Sequence, residues 1–207
     1  MALIEIPNVC NSDAVASAAG HGRFAVIGEP SVAVDLINTA AAPGSAAADD
    51  LLSAHHGAEA WWRLQKARVP PGDMPDIRAL HRLRSALRDM IEALVDDRPV
   101  TQASVSDLNF FMQSAPASTR LQLTTTGLAV RTQWHREYGG NPRLAFIATQ
   151  AAEFLSDPSQ VGRLRRCANP ACSMIFIAVN PRRSWCAPGV CGNRVRVARH
   201  HRRAGGT

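Results

Sequence analysis

Apolar residues recur every three or four positions through most of the first 160 residues, and every second position in one short stretch. The longest helical pattern runs from Pro75 to Asp96, where Ile77, Leu80, Leu83, Leu87, Ile91, Leu94 and Val95 line one face. Arg78, Arg82, Arg84 and Arg88 decorate the other side, a face that solvent or nucleic acid would meet. Before it, Pro30 opens a helix through Thr39 with Val32, Ala33, Leu36 and Ile37 on one face, after a short strand at Phe24–Ile27. Asp49-Asp50 caps a short helix at Leu51-Leu52 that His55-His56-Gly57 breaks. A helix from Ala58 to Ala67 then carries Trp61 and Trp62, one of which must face inward. Further helices are predicted over Ser104–Ser114 and from Asn141-Pro142 to Leu155. Between them the period falls to two: Leu121, Leu123 and Thr125, then Leu128, Val130, Thr132 and Trp134, flank Thr126-Gly127 as a β-hairpin.

The pattern changes again after residue 160. Cys167 and Cys172 form one pair, Cys186 and Cys191 another, each separated by four residues. Two short Cys pairs supply four thiolates to one tetrahedral zinc, and four thiolates close the site against catalysis. The spacer reads as a hairpin: an apolar run at 173–179, a turn at Asn180-Pro181, and a returning strand from Arg182 to Trp185. Asn193 then caps a helix that bears the last ligand and continues through Arg203. The prediction is a treble-clef-like finger of four cysteines with one structural Zn2+ per chain, which a unit of this size needs in order to fold.

Charge divides the chain at the same place. Residues 162–207 hold ten Arg and no Asp or Glu, whereas all 17 acidic residues lie earlier. The overall charge of +6 conceals a slightly acidic first part and a strongly basic finger. Such a field seeks polyanions, and Arg suits bidentate phosphate contact. A GC-rich genome would explain 22 Arg against one Lys. It would not explain a run of this length without an acid.

The string Trp185-Cys186-x4-Cys191-Gly192-Asn193-Arg194, preceded by Cys167-Ala168-Asn169-Pro170-x-Cys172, resembles the CGNR-type zinc finger. Two positions depart from that pattern. Ala187-Pro188 stands where Ser-Met is usual, and Ala178 where the first strand ends in an acidic residue. Ser31 to Thr39, an apolar run with an internal Asp that closes in Asn-Thr, resembles the early motif of the ABATE domain. The resemblance implies an ABATE-type domain followed by the finger, in proteins regarded as stress-induced transcription regulators. It also implies that the larger domain senses a small-molecule effector or forms a homodimer. Asp35, Asn38 and Thr39 share a helix edge and are candidates for binding a small polar ligand, although capping of nearby backbone is the commoner role of such groups.

The fold class expected is therefore α+β: a mainly helical domain with a β-hairpin at 1–160, and a zinc finger ending in a basic helix at 161–207. The finger is expected to dock beside the last helix of the larger domain, because hardly any linker separates them. DNA is the expected partner. Arg194, Arg196, Arg199, Arg202 and Arg203 on the helix, with Arg182 and Arg183 at the hairpin turn, would touch phosphates or base edges. The alternative is a zinc-stabilised module for an acidic protein. No catalytic motif is present, so no enzyme activity is expected. The N-terminus reads as lacking a secretory signal and no apolar run is long enough to span a membrane, so a cytoplasmic protein is expected. Cys10 stands apart and reads as incidental, and His55-His56 has no ligand partner at suitable spacing.

Overall fold

Leu80, Leu83, Leu87 and Ile91, the residues that set the longest helical period, are fully buried and form the spine of the main core. The structure is a computed structural model that describes residues 28–40, 50–53 and 55–204. Cys10 and the strand expected at 24–27 lie outside them, as does most of the loop after Thr39. The spine belongs to α3 (Ile77–Val95), which Asp76 caps by accepting from the Arg78 and Ala79 amides. Packed around it are α1 (Val32–Ile37), α2 (His55–Gln65), α4 (Gln102–Ser114) and α5 (Pro142–Ser156). Thr101 and Asn141 cap α4 and α5 through their side chains.

Several expectations change. Leu51-Leu52 is a turn, not a helix; the Asp50 carboxylate accepts the Leu52 amide at 2.9 Å. His55-His56-Gly57 begins α2 instead of breaking a helix. A Cβ at Gly57 would lie 2.1 Å from the Leu51 carbonyl oxygen, so glycine lets the turn and helix meet. Both tryptophans face inward, edge to face, with ring centroids 4.8 Å apart. Three of the α3 arginines, Arg82, Arg84 and Arg88, are structural ties, whereas Arg78 is exposed. Arg84 is buried and forks onto Asp50 at 2.5 and 2.6 Å, Arg82 pairs with Asp107, and Arg88 donates to the Ile37 carbonyl at the end of α1.

β1 (Ala117–Thr124) and β2 (Gly127–Trp134) form the predicted hairpin, with Leu121 opposite Val130 and Leu123 opposite Leu128. Its alternation does not reflect burial in the core, since those four side chains are 62–77 % exposed. Its root is anchored where Trp134 meets Phe146 of α5 edge to face.

After α6 (Pro158–Val161) comes a second two-stranded sheet, β3 (Leu164–Arg166) against β4 (Ile175–Ile177). The sequence pattern placed the returning strand at Arg182–Trp185, but β4 pairs backward with β3 across the first cysteine pair. The reason lies at the other edge of β4. There Asn38 takes both backbone groups of Ile175, and the Glu29 carboxylate accepts the Ile177 amide at 2.7 Å. No hydrogen-bonding edge remains for a third strand. The 182–185 segment runs as an irregular strap, held by the Ala168 amide on the Ser184 carbonyl at 2.9 Å.

β4 is buried on both faces. Ile175 and Ile177, with Leu164 of β3, belong to the main core, whereas Phe176 faces the cysteines. The finger is thus docked as expected, but its seam runs along α1 and the end of α3. At that end Arg166 forks onto Asp96 at 2.7 and 2.9 Å. α7 (Asn193–Ala204) closes the chain. Among the described residues, no helix is long and apolar enough to cross a membrane.

Candidate metal centre

Four sulfurs converge in the finger. The Sγ atoms of Cys167, Cys172, Cys186 and Cys191 all lie within 4.8 Å of one another, with Cys186 3.7 Å from Cys172 and 3.6 Å from Cys191. A disulfide requires about 2.05 Å, whereas zinc with tetrahedral Zn–S bonds of about 2.3 Å sets its sulfurs about 3.8 Å apart. The spacing and the all-thiolate donor set therefore fit zinc.

Local geometry explains how each ligand arrives. Cys167 directly follows β3, its amide on the Met174 carbonyl at 2.9 Å. Asn169 tightens the first knuckle by taking the Cys172 amide on its carbonyl and the Ala171 amide on its side chain. Cys191 sits in a π-helical turn over Pro188–Gly192, directly before α7. A Cβ on Gly192 would lie 3.3 Å from the Trp185 indole, so the small residue lets the ring close over the turn. Asn193 donates from its side chain to the Gly189 carbonyl at 2.7 Å and ties that turn to the helix. Ala178 and Ala187, at the two positions that depart from the usual finger pattern, are both buried in the small apolar cluster around the cysteines.

The thiols perturb one another. A hydrogen bond from Cys186 lowers the Cys172 thiol to about 5, and the Met174 amide adds to this. Cys186 is pushed up because it donates that bond, and Cys191 is pushed up by burial. Packed thiols cannot all ionise against each other. A dication at their centre removes the repulsion and takes all four as thiolates.

The arginines expected at the nucleic-acid face divide. Arg183 is turned inward, its guanidinium 4.4 Å from the centre of the Phe176 ring. It donates to Glu29 at 2.8 Å and to the carbonyls of Cys186, Trp185 and Ile177. It braces the metal loop and does not face outward. Arg196 stays exposed while its Nε reaches the Gly192 carbonyl at 3.3 Å. Arg182 and Arg194 are exposed. Arg199, Arg202 and Arg203 follow on α7, with side chains outside the described set.

Asp35, Asn38 and Thr39 are occupied by the protein itself. Asp35 is fully buried and accepts from the Gly28 and Glu29 amides, Gln65 Nε2 and Arg68 Nη1 at 2.5–3.0 Å. Burial pushes its carboxyl up, against the pull of Arg68. Thr39 donates to the Leu36 carbonyl and accepts from Arg84. Asn38 is spent on Val34 and Ile175. The functional partner that sequence reasoning missed is Glu29, which meets both Ile177 and Arg183; neither contact leaves a local signal, because each joins residues about 150 positions apart.

Comparison with known proteins agrees with this division. Residues 31–158 match the ABATE family, described as "Putative stress-induced transcription regulator", and residues 163–204 match the CGNR zinc finger. No curated protein matches the chain. With four clustered cysteines docked on the helical domain and more than half its length matched, the chain belongs to the ABATE family and ends in a CGNR zinc finger.

Proposed function

We propose that the protein is a non-catalytic, DNA-binding regulator whose finger, closed around one zinc by four thiolates, presents α7 to the phosphate backbone. The observation that carries this reading is the pairing of charge with exposure. The finger contains no acidic residue, and Arg182, Arg194 and Arg196 stand on the solvent side of a metal-clamped turn and helix. The arginines occur at several helix positions instead of one reading edge, which favours phosphate contact over base recognition. The cytoplasm is the compartment this reading requires, because the thiolates must stay reduced.

The test is affinity for duplex DNA across salt. Neutralising several phosphates makes binding fall steeply with salt, at about 0.9 log units per contact for each tenfold increase. Binding that stays flat from low to moderate salt overturns the proposal. A second reading, an acidic protein as partner, is favoured by Val197, which is 55 % exposed beside an open apolar hollow lined by Gly189, Ala198 and His201. Tighter binding to an acidic protein than to DNA at matched salt selects it.

A further inference from the structure

We infer that the β1–β2 hairpin is a homodimerisation surface, whose apolar face is covered by the same face of a second copy. Direct pairing of Leu121 with Val130 and of Leu123 with Leu128 puts all four aliphatic side chains on one face, in two adjacent rungs. They are 62, 67, 77 and 70 % exposed in that order. Together they present on the order of 500 Å2 of apolar surface, the size at which such patches mark contact sites. The opposite face is polar: Arg120 stands opposite Arg131, and Arg120 donates to Gln133 at 3.3 Å. Two arginines side by side resist full burial of that face, so the apolar side is the one left to cover.

The ribbon is a sheet of only two strands. Isolated two-stranded hairpins are marginal in water and gain stability from a third element on their apolar side. No charged side chain lies within the two rungs, so the face offers no charge for a basic or acidic partner to read. An identical face is complementary to it by symmetry, because a two-fold axis lays rung on rung. Two stacked faces bury eight aliphatic side chains. With the flanking Thr119 and Thr132 on the same face, each copy can bury on the order of 600 Å2, below the about 800 Å2 per partner of a standard interface, so the dimer is a weak, concentration-dependent one. The inference stands whether the finger binds DNA or protein.

The experiment is sedimentation of the full-length, zinc-loaded protein. The wild type should pass from monomer to dimer over about 1–100 μM, as expected for a small apolar interface. Leu123→Lys/Leu128→Lys should weaken association at least ten-fold with unchanged zinc content, whereas Arg120→Ala on the opposite face should leave it intact. Amide exchange of residues 117–134 in the wild type, which needs no variant, should slow as concentration rises. A wild type that is monomeric throughout overturns the inference. So does a dimer that survives the Lys substitutions, loss of association in Arg120→Ala, or hairpin exchange that ignores concentration.

Discussion

Asn38 pairs with Ile175 as a neighbouring strand would: its Nδ2 donates to the Ile175 carbonyl at 2.7 Å and its Oδ1 accepts the Ile175 amide at 3.0 Å. One side chain, 137 residues away, thus completes the edge of a finger strand. Removing it leaves two buried backbone groups without partners, each costing about 1–3 kcal/mol. Asn38→Ala should therefore destabilise the protein by about 2–4 kcal/mol in chemical denaturation and speed amide exchange at Ile175. A loss below about 1 kcal/mol would show that the edge is satisfied in another way.

Arg183 and Arg194 should separate stability from binding. Arg183→Ala removes four hydrogen bonds and a stacked cation from beside the metal loop, so its main effect should be a loss of about 2–4 kcal/mol of stability. Arg194→Ala, at an exposed position, should change stability by less than about 0.5 kcal/mol. If α7 meets phosphates, it should also lower the salt slope of DNA binding by about one unit. The reverse pattern in parallel melts and titrations would reassign both residues.

Metal removal should be felt beyond the finger. Leu164, Ile175 and Ile177 complete the main core, so loosening the finger uncovers that core. In calorimetry, a chelator should lower one cooperative transition by about 10 °C or more, as a loss of several kcal/mol does in a chain of this size. Two independent transitions, with the upper one unmoved, would mean that the two cores fold separately.

Glu29 gives a pH signature. Burial raises its carboxyl above the ordinary value, against the Ile177 amide and Arg183, which pull it down. A carboxyl raised on folding supports the fold fully below its unfolded value and loses that support as pH climbs through the folded one. The stability of wild type relative to Glu29→Gln should therefore fall as pH rises above the ordinary carboxylate range. Paired melts in which the difference grows with pH would show that the Arg183 ion pair outweighs burial.

What could be read from the sequence was local. Cysteine spacing, helix periods and the cap at Asn141 depend on residues a few positions apart, and they are found as chemistry dictates. The hairpin was legible for the same reason, but its register was not, since the turn falls at Thr125-Thr126 with Gly127 paired to Thr124, and neither was its exposure, because alternation reports a two-sided ribbon and not what covers either side. The strand partner of β4 was misplaced because Glu29 and Asn38 fill the edge from a distant part of the chain. Arg183 looked like a surface cation because the ring beneath it and the carboxylate beside it meet it only in the folded molecule. Asp35 could not be assigned to bracing or ligand binding until its four donors were in view.

The alternation of Ile175, Phe176 and Ile177 between two cores has a consequence for how this finger can be moved. Many small metal-bound units behave as cassettes that can be excised and joined to new hosts. This one carries, on the back of β4, two isoleucines shaped to another domain's interior, and Leu164 beside them. Cut free, it would turn a greasy underside to water. Lengthening the first knuckle by one residue would turn β4 over and set phenylalanine where isoleucine belongs. The unit that evolution or an engineer can transplant is therefore the pair, finger and helical host together.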